Sequence, residues 1–254
     1  MATLSSSPTQ VVSKAVSLPG RRYDHYFFSA TAILMLLTVF FGFARTYFLA
    51  GIFHAPLPSP IIHIHGALFT TWMLLFLTQT SLVAAGRTDI HRRLGVAGFF
   101  LACFMVVAGL AAGTDTLLRR ANILDPFGRD PKMFYIVPVS DMILFGTMVG
   151  IAFFLRRDSA AHKRSIFIAN TAILVAAIAR LPFAFSFRNN PVAGLLSELF
   201  LLALIIYDLW STRKLHRITL WGGLFLITIQ QARVPIGKTA AWHSVADWVI
   251  AHLR

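Results

Sequence analysis

The chain has 254 residues, of which 57% are hydrophobic and only 13% are charged, and its mean hydropathy is +0.70. Soluble domains carry about 25% charged residues, so this composition excludes the ordinary soluble classes. The formal net charge of +13 does not indicate nucleic-acid binding, because the basic residues stand at the ends of apolar segments and form no basic domain. The single cysteine, Cys103, excludes an intrachain disulfide and a cysteine-based metal motif.

A polar stretch at the N-terminus precedes seven apolar segments. Residues 1–22 carry Ser, Thr and Pro without periodicity, which predicts a disordered cytoplasmic tail. Each apolar segment is about long enough to cross a bilayer. Because lipid cannot hydrogen-bond to the backbone, we expect residues 23–235 to form one all-α domain, a polytopic transmembrane helix bundle. The predicted spans are Phe27–Ala50, Pro60–Ala85, Leu94–Leu117, Pro138–Leu155, Ser165–Phe183, Pro191–Trp210 and Ile218–Val234.

Prolines and polar caps mark several of these boundaries. Ser59 and Asn190 each precede a proline, which predicts a capping residue followed by proline at the first helical position. Pro138 is expected to open the fourth span in the same way.

The distribution of Lys and Arg predicts the orientation of the bundle. With the N-terminus inside, 13 of the 23 Lys and Arg residues fall on the inner side and 7 fall in the outer loops and tail. The other three, Arg45, Arg180 and Arg233, lie within spans or at their outer ends. Cytoplasmic loops carry an excess of cations, so the N-terminus is expected inside and the C-terminus outside.

The C-terminal residues 236–254 have their own pattern. Apolar residues recur with helical periodicity between Trp242 and Leu253, and the segment includes a second tryptophan, Trp248. The segment is too short to span a bilayer, so we expect an amphipathic helix lying on the outer membrane surface.

Two pairs of glycines allow helices to approach closely. Gly109 and Gly113 lie four residues apart in the third span, and Gly146 and Gly150 do so in the fourth. Small residues at this spacing favour close helix packing, so contact between these two faces is one possibility and chance occurrence is the other.

Four spans begin after similar basic segments that contain histidine. Residues 21–28, 87–95, 156–165 and 211–219 each place a His near Arg or Lys and an Asp, Ser or Thr that could cap the coming helix. The candidate caps are Asp24, Asp89, Ser159 and Thr212. These segments fit a topological role, or alternatively an anion site, and a metal ion is not expected because neighbouring cations would repel it.

The opposite level of the bundle holds the stronger candidates for a binding site. Glu198 lies seven residues past Pro191, roughly 10 Å along the helix. An ionisable group at that depth indicates a functional site unless it is paired. Arg180 and Gln230 approach the same level from neighbouring spans, and we expect an ion pair between Arg180 and Glu198.

Asp141 and His65 complete this candidate site. Asp141 enters the level from the fourth span, although the helix dipole alone could explain an acid in a first turn. His65 shares one helical face with Trp72 and Gln79, because the three are seven residues apart, so His65 rather than His63 is expected to face inward.

Residues 63–95, which include HIHGALFTTW and HRRLG, and residues 161–182 resemble a broad group of uncharacterised bacterial multi-pass membrane proteins. The resemblance implies the bacterial inner membrane as the location. The same group of proteins is also distantly similar to membrane helix bundles that hold b-type haem between histidines. That likeness implies His65, or His91 together with His162, as haem ligands.

The sequence leaves three functions open. The first is binding of a small molecule or cofactor in a polar pocket in the outer half of the bundle. The second is a haem- or metal-dependent membrane redox protein, and the third is a non-catalytic assembly or sensory subunit. Motifs of hydrolases and nucleotide-binding loops do not occur. Membrane lipid and a small molecule are therefore the expected partners, and whether the chain is an enzyme is left open.

Overall fold

The computed structural model describes residues 23–56, 58–123, 130–181 and 191–253, and the regular structure within them is helical. The helices are α1 (Asp24–Phe43, continued by a π-helical segment Ala44–Phe48), α2 (Pro60–Ala84), α3 (Thr88–Arg120), α4 (Pro131–Phe134), α5 (Ile136–Phe154), α6 (Ser159–Ile178), α7 (Pro191–Thr212), α8 (Arg217–Gly237) and α9 (Ala240–Leu253). Five stretches are long and apolar enough to cross a membrane: Asp24–Phe48, Pro60–Ala84, Thr88–Arg120, Pro131–Phe154 and Val192–Thr212. The predicted all-α class and the membrane-type helix bundle are confirmed. The predicted tail at residues 1–22 lies outside the described residues.

Helix α6 is the centre of the bundle. It packs against α1, α5, α7 and α8, and 13 of its 20 residues are buried. A helix surrounded by protein does not have to be apolar on every face, so α6 can carry Arg164 and Asn170, both buried. This position explains why α6 is not among the five apolar stretches although its neighbours α1, α5 and α7 are.

The long helices alternate in direction. The hydroxyl of Tyr207, near the end of α7, donates to Asp24 Oδ1 at the start of α1 over 2.6 Å. His162, near the start of α6, contacts the Ala152 carbonyl near the end of α5. We call this end, where α1, α3, α6 and α8 begin, the basic end. The opposite end is where α2, α5 and α7 begin.

An apolar layer separates the two ends. The largest fully buried side chains come from all the central helices: Met35, Met73, Met105, Leu144, Phe145, Met148, Phe167, Ile168, Leu174, Leu204 and Leu226. One polar contact crosses this layer, in which Trp72 Nε1 donates to Asn170 Oδ1 over 2.9 Å. The Asn170 amide nitrogen donates in turn to the Ile166 carbonyl, so the pair is satisfied inside the protein. This contact confirms that the Trp72 face of α2 points into the bundle.

The small-residue faces of α3 and α5 do touch. A Cβ added to Gly109 would lie 2.3 Å from Met142 Sδ, and one added to Gly113 would lie 2.9 Å from the Pro138 ring. Gly146 faces Val106, whereas Gly150 has open space around its Cβ position. Close packing of α3 on α5 therefore uses three of the four glycines, and Gly150 takes no part in it.

The C-terminal helix α9 lies against protein. Its buried residues Ala246 and Val249 pack with Leu117 and Tyr135, and Lys132 Nζ lies 2.6 Å from Asp247 Oδ1. The helix is amphipathic as predicted, but its buried face is covered by α3 and α4. The membrane is therefore not needed to cover that face, whereas Trp248 on the other face is 60% exposed.

One predicted helix start is wrong, whereas α2 begins at Pro60 as predicted but without the predicted capping bond. Helix α5 begins at Ile136, so Pro138 is its third residue and does not open it. Ser59 precedes Pro60 at the N-terminus of α2 but makes no capping bond, because its hydroxyl donates to Asp115 Oδ2 over 3.0 Å. Asn190 and the end of the predicted fifth span lie outside the described residues.

Replacing Gly42 by alanine should destabilise the bundle. A Cβ at Gly42 would lie 2.3 Å from the Ala177 carbonyl oxygen, and this backbone of α6 cannot rotate away as a side chain could. We expect the Gly42→Ala protein to lose about 2 kcal/mol of stability, the usual effect of overpacking. Thermal unfolding of the detergent-solubilised protein measures the change.

Gly150→Ala is the matched control, because the same methyl group meets nothing within 4 Å there. It should leave the unfolding temperature unchanged or raise it slightly, since alanine favours the helix. Equal destabilisation by both substitutions would contradict the close approach of α1 to α6.

Candidate functional site

A buried ion pair at the basic end joins three helices. Arg164 donates through Nε and Nη2 to Asp208 Oδ1 over 2.9 and 2.5 Å. The other carboxylate oxygen accepts from Thr219 Oγ1 at 2.6 Å and from the His216 backbone N–H at 3.2 Å. The side chains of Arg164 and Asp208 are 4% and 0% exposed. Four hydrogen bonds satisfy the Asp208 carboxylate, which is the condition for keeping a charge pair inside a low-dielectric bundle.

A second, half-buried ion pair lies beside the first. Lys163 Nζ pairs with Asp24 Oδ2, and Tyr207 donates to the other Asp24 oxygen. The Tyr207 ring stacks on Phe27 with 4.1 Å between the ring centroids. These contacts hold the start of α1 against α6 and α7. The polar groups of this second pair therefore also have their partners within the protein.

The helix caps at the basic end differ from the predicted ones. Asp158 caps α6, since its Oδ1 accepts from the N–H groups of Ala160 and Ala161, and Ser159 is the first helical residue instead. His216 caps α8 by accepting from Ile218 N at 3.1 Å. Burial, followed by the nearby Arg164 guanidinium, lowers the pKa of His216, which keeps its ring neutral and able to accept.

The structure brings together two of the three histidines considered as haem ligands. The rings of His91 on α3 and His162 on α6 are 6.1 Å apart and nearly perpendicular, at 88°. His162 Nδ1 lies 2.9 Å from the Ala152 carbonyl oxygen, which leaves Nε2 free of that contact. The Gln79 side-chain amide, in the orientation that satisfies both its ends, donates to His91 Nδ1 over 2.6 Å and accepts from Gly95 N.

The opposite end holds a different kind of cluster, formed by Asp141, Ser197, Gln230 and Arg233. Arg233 Nη1 donates to Asp141 Oδ1 over 2.9 Å, and the two side chains are 3% and 8% exposed. Ser197, fully buried, donates to the Gly194 carbonyl at 2.7 Å and lies 3.5 Å from Gln230 Oε1. The Gln230 Nε2 group is buried and has no hydrogen-bond partner among the described residues.

Donors outnumber acceptors in this cluster. A guanidinium has five N–H groups and a carboxamide has two. The one hydrogen bond of the Arg233 side chain within the described residues goes to Asp141, which keeps one further oxygen, Oδ2. Most buried polar groups in proteins have partners, so this surplus of donors among the described residues distinguishes the cluster from the ion pair at the basic end.

Gln230 and Asp141, two of the predicted site residues, therefore meet at the opposite end, but Arg180 and Glu198 do not join them. Glu198 Oε1 accepts from Gln231 Nε2 at 3.1 Å. The Arg180 guanidinium lies 4.7 Å from the Phe43 ring and donates to the Ala176 carbonyl. The predicted ion pair between Arg180 and Glu198 is absent from the ion pairs of the described residues. The cause is rotation, because Ser197 faces α8 and the next residue points about 100° away.

His65 also stands apart from the cluster. It belongs to α2, which packs chiefly against α1 and α3, whereas the cluster is built by α5, α7 and α8. Its Nδ1 is buried without a partner among the described residues, and its ring lies 4.1 Å from that of Phe69. Within the same described ranges, no group of three or more His, Cys, Asp or Glu residues is placed to hold a metal ion.

Sequence reasoning missed the residues that complete both polar regions. Arg233 follows Gln230 by three residues, a spacing that puts both on one helical face, and this signal could have identified it. Asp208 lies four residues before the end of α7, inside an apolar run, and the depth argument applied to Glu198 applies to it equally. Ser197 carries no signal in sequence that distinguishes it from other serines.

Removing the charge of Asp208 should be strongly destabilising. Asp208→Asn leaves the Arg164 guanidinium buried without a counter-charge, and breaking a buried pair in this way costs about 3–5 kcal/mol. Asp89→Asn is the control, because the Arg87–Asp89 pair is 59% and 65% exposed and should contribute about 0.5 kcal/mol or less. Unfolding temperatures in detergent compare the two. A decrease in unfolding temperature that is no larger for Asp208→Asn than for Asp89→Asn would contradict the stabilising role of the Arg164–Asp208 pair.

The two ends thus differ in chemistry. The buried ion pair at the basic end is satisfied by protein groups, whereas the cluster at the opposite end has donors left over. Comparisons of the chain with protein-family models, with curated proteins and with solved structures each find no match.

Proposed function

We propose that the chain is a multi-pass protein of the bacterial inner membrane that binds a small, acceptor-bearing molecule at the Asp141–Arg233–Gln230–Ser197 cluster. The seven long helices α1, α2, α3, α5, α6, α7 and α8 are the seven spans, and the N-terminus lies in the cytoplasm. The resemblance of residues 63–95 to bacterial multi-pass proteins supports the location.

The charges at the two ends support this orientation. At the basic end the described cations are Arg87, Arg92, Arg93, Arg156, Arg157, Lys163, Arg164, Arg213, Lys214 and Arg217, against the acids Asp24, Asp89, Asp158 and Asp208. At the opposite end they are Arg45, Arg119, Arg120, Lys132, Arg180, Arg233 and Lys238, against Asp115, Asp130, Asp141, Glu198 and Asp247. The larger surplus of cations at the basic end supports the proposal that this end faces the cytoplasm.

The observation that carries the proposed binding function is the side-chain nitrogen of Gln230, which has no hydrogen-bond partner among the described residues. Its Nε2 group is buried, and a Cβ added to Gly194 would lie 3.7 Å from Gln230 Oε1 and 4.0 Å from Arg233 Nη2. A buried donor without a partner lowers the stability of a protein by about 1–3 kcal/mol. A ligand that accepts a hydrogen bond from Gln230 would explain why the protein keeps such a donor there. The ligand offers carbonyl or carboxylate oxygens, because the site lacks acceptors and not donors.

Gln230→Met tests this proposal. The substitution keeps the side-chain volume nearly the same but removes the donors. Without ligand, the variant should be as stable as the wild type or more stable by about 1–2 kcal/mol, since an unsatisfied polar group is gone. Thermal unfolding in the presence of a panel of small carboxylates and ketones should show stabilisation of the wild type only.

Alkylammonium ions of matched size serve as the control compounds, and Gln231→Met serves as the control variant, because Gln231 pairs with Glu198 outside the cluster. Alkylammonium ions should stabilise neither protein, and Gln231→Met should respond as the wild type does. The proposal fails if no acceptor-bearing compound stabilises the wild type, or if Gln230→Met responds equally.

The facing histidines favour a second candidate function, a haem-dependent redox protein. His91 and His162 come from separate helices at one depth, as a bis-histidine site requires. Ligation through His91 Nε2 would require the proton on Nδ1, so the Gln79 amide would have to turn and present its oxygen to that nitrogen. The Ala152 carbonyl beside His162 Nδ1 orients that ring as a backbone acceptor orients a metal-ligating histidine. Haem would bring electron transfer, and the exposed Arg92 and Arg93 near His91 would contact its propionates.

An absorbance spectrum separates the two candidates. Protein purified from haem-supplied cells should show a visible haem band that is lost in His91→Ala and in His162→Ala. The band should persist in His252→Ala, whose ring contacts Trp248 on α9 far along the chain from both. A colourless wild type, or a band that survives both ligand substitutions, would exclude haem at this pair.

A further inference from the structure

A cationic corner of the basic end is not used by the cluster or by the facing histidines. It comprises Arg157 in the turn between α5 and α6, and Arg213, Lys214 and Arg217 where α7 passes into α8. The two turns lie side by side, because Asp208 joins Arg164 of α6 to Thr219 of α8 and also accepts from the backbone of His216. The turns that carry these four cations are therefore neighbours at one corner of the bundle.

The acids near this corner are already engaged. Asp208 is fully buried against Arg164, and Asp158 accepts from the first N–H groups of α6. The described residues provide no carboxylate partner for Arg157, Arg213, Lys214 or Arg217, and all four are exposed. The corner thus carries a positive charge that the protein itself does not neutralise.

Arg213 holds a backbone conformation that disfavours it. Its φ is +55°, in the left-handed region, directly after the end of α7. Glycine is the usual residue at this position after a helix, because a side chain there is strained. An arginine in the place of glycine indicates that the positive charge serves a purpose that outweighs the strain.

Two exposed tryptophans indicate how deep in the membrane the cationic corner lies. Trp210 lies near the end of α7 and Trp221 near the start of α8, and they are 63% and 65% exposed. Tryptophan with an exposed ring near a helix end is typical of the boundary between acyl chains and lipid headgroups. The cations of the corner lie one turn or more beyond these rings, at the level where lipid phosphates are found.

We infer that this cationic corner binds the phosphate group of an anionic phospholipid. The lipid contributes the negative charge that the corner lacks, and its acyl chains lie along the exposed faces of α7 and α8 beside Trp210 and Trp221. Each cation near an anionic membrane surface contributes to this attraction. The inference is independent of the ligand proposed at the opposite end.

Titration of detergent-solubilised protein with short-chain phosphatidylglycerol tests the inference, with tryptophan fluorescence as the signal. The variant is the double substitution Arg213→Gly with Lys214→Gln. We expect its affinity for the lipid to fall about 30-fold, or roughly fivefold for each cation. Arg213→Gly alone should raise the unfolding temperature without lipid, because strain is relieved, and should still weaken lipid binding. A purely structural role for Arg213 would not produce that combination.

The matched control removes one Arg and one Lys at the opposite end, by Arg120→Gln with Lys238→Gln, and should keep the wild-type affinity. Phosphatidylcholine should bind weakly to all the proteins, and inorganic phosphate should not displace phosphatidylglycerol. Equal affinity of the two double variants overturns the inference. Equal binding of phosphatidylcholine does so as well, and displacement of the lipid by inorganic phosphate would identify a free-anion site instead.

Discussion

The ion pair between Arg164 and Asp208 is the contact on which the arrangement of the bundle depends. It links the central helix α6 to α7 directly and to α8 through Thr219. A charge on a helix surrounded by protein has no access to water, so its partner has to come from a neighbouring helix at the same depth. This requirement fixes the rotation of α6 and the height of α7 relative to it, in a region where apolar packing alone would tolerate sliding.

Hydrogen-bond satisfaction differs between the two ends of the molecule. At the basic end, each oxygen of Asp208 is paired, and the neighbouring Asp24 accepts from both Lys163 and Tyr207. At the opposite end, the amide nitrogen of Gln230 is buried without a partner in the part of the chain that the structure describes, in the same cluster as the Asp141–Arg233 pair. Complete satisfaction is typical of a structural network, whereas leftover donors are typical of a site that awaits a ligand. The proposed binding function follows from this contrast.

The apolar layer keeps the polar groups of the two ends apart. Phe145, Phe167 and Leu204 are fully buried there, and the Trp72–Asn170 hydrogen bond is satisfied within the layer. The proposed ligand site at the opposite end and the proposed lipid site at the basic end are therefore separate. The facing pair His91 and His162 lies on the basic side of this layer, next in sequence to the exposed Arg92 and Arg93.

Sequence alone determined the class of fold and the depth of most polar groups. Apolar run length predicted the long helices, and helical spacing predicted that the Trp72 face of α2 points inward, because both depend only on the rise and the turn of a single helix. Asp141 and Gln230 were placed at one level for the same reason. Tertiary structure alone decided which groups meet. Glu198 and Arg180 have suitable depths, but Glu198 turns towards Gln231 and Arg180 towards Phe43, while Arg233 pairs with Asp141. The rotation of one helix about its axis relative to another is set by the packing of all its neighbours, and no local pattern in a single segment contains that information.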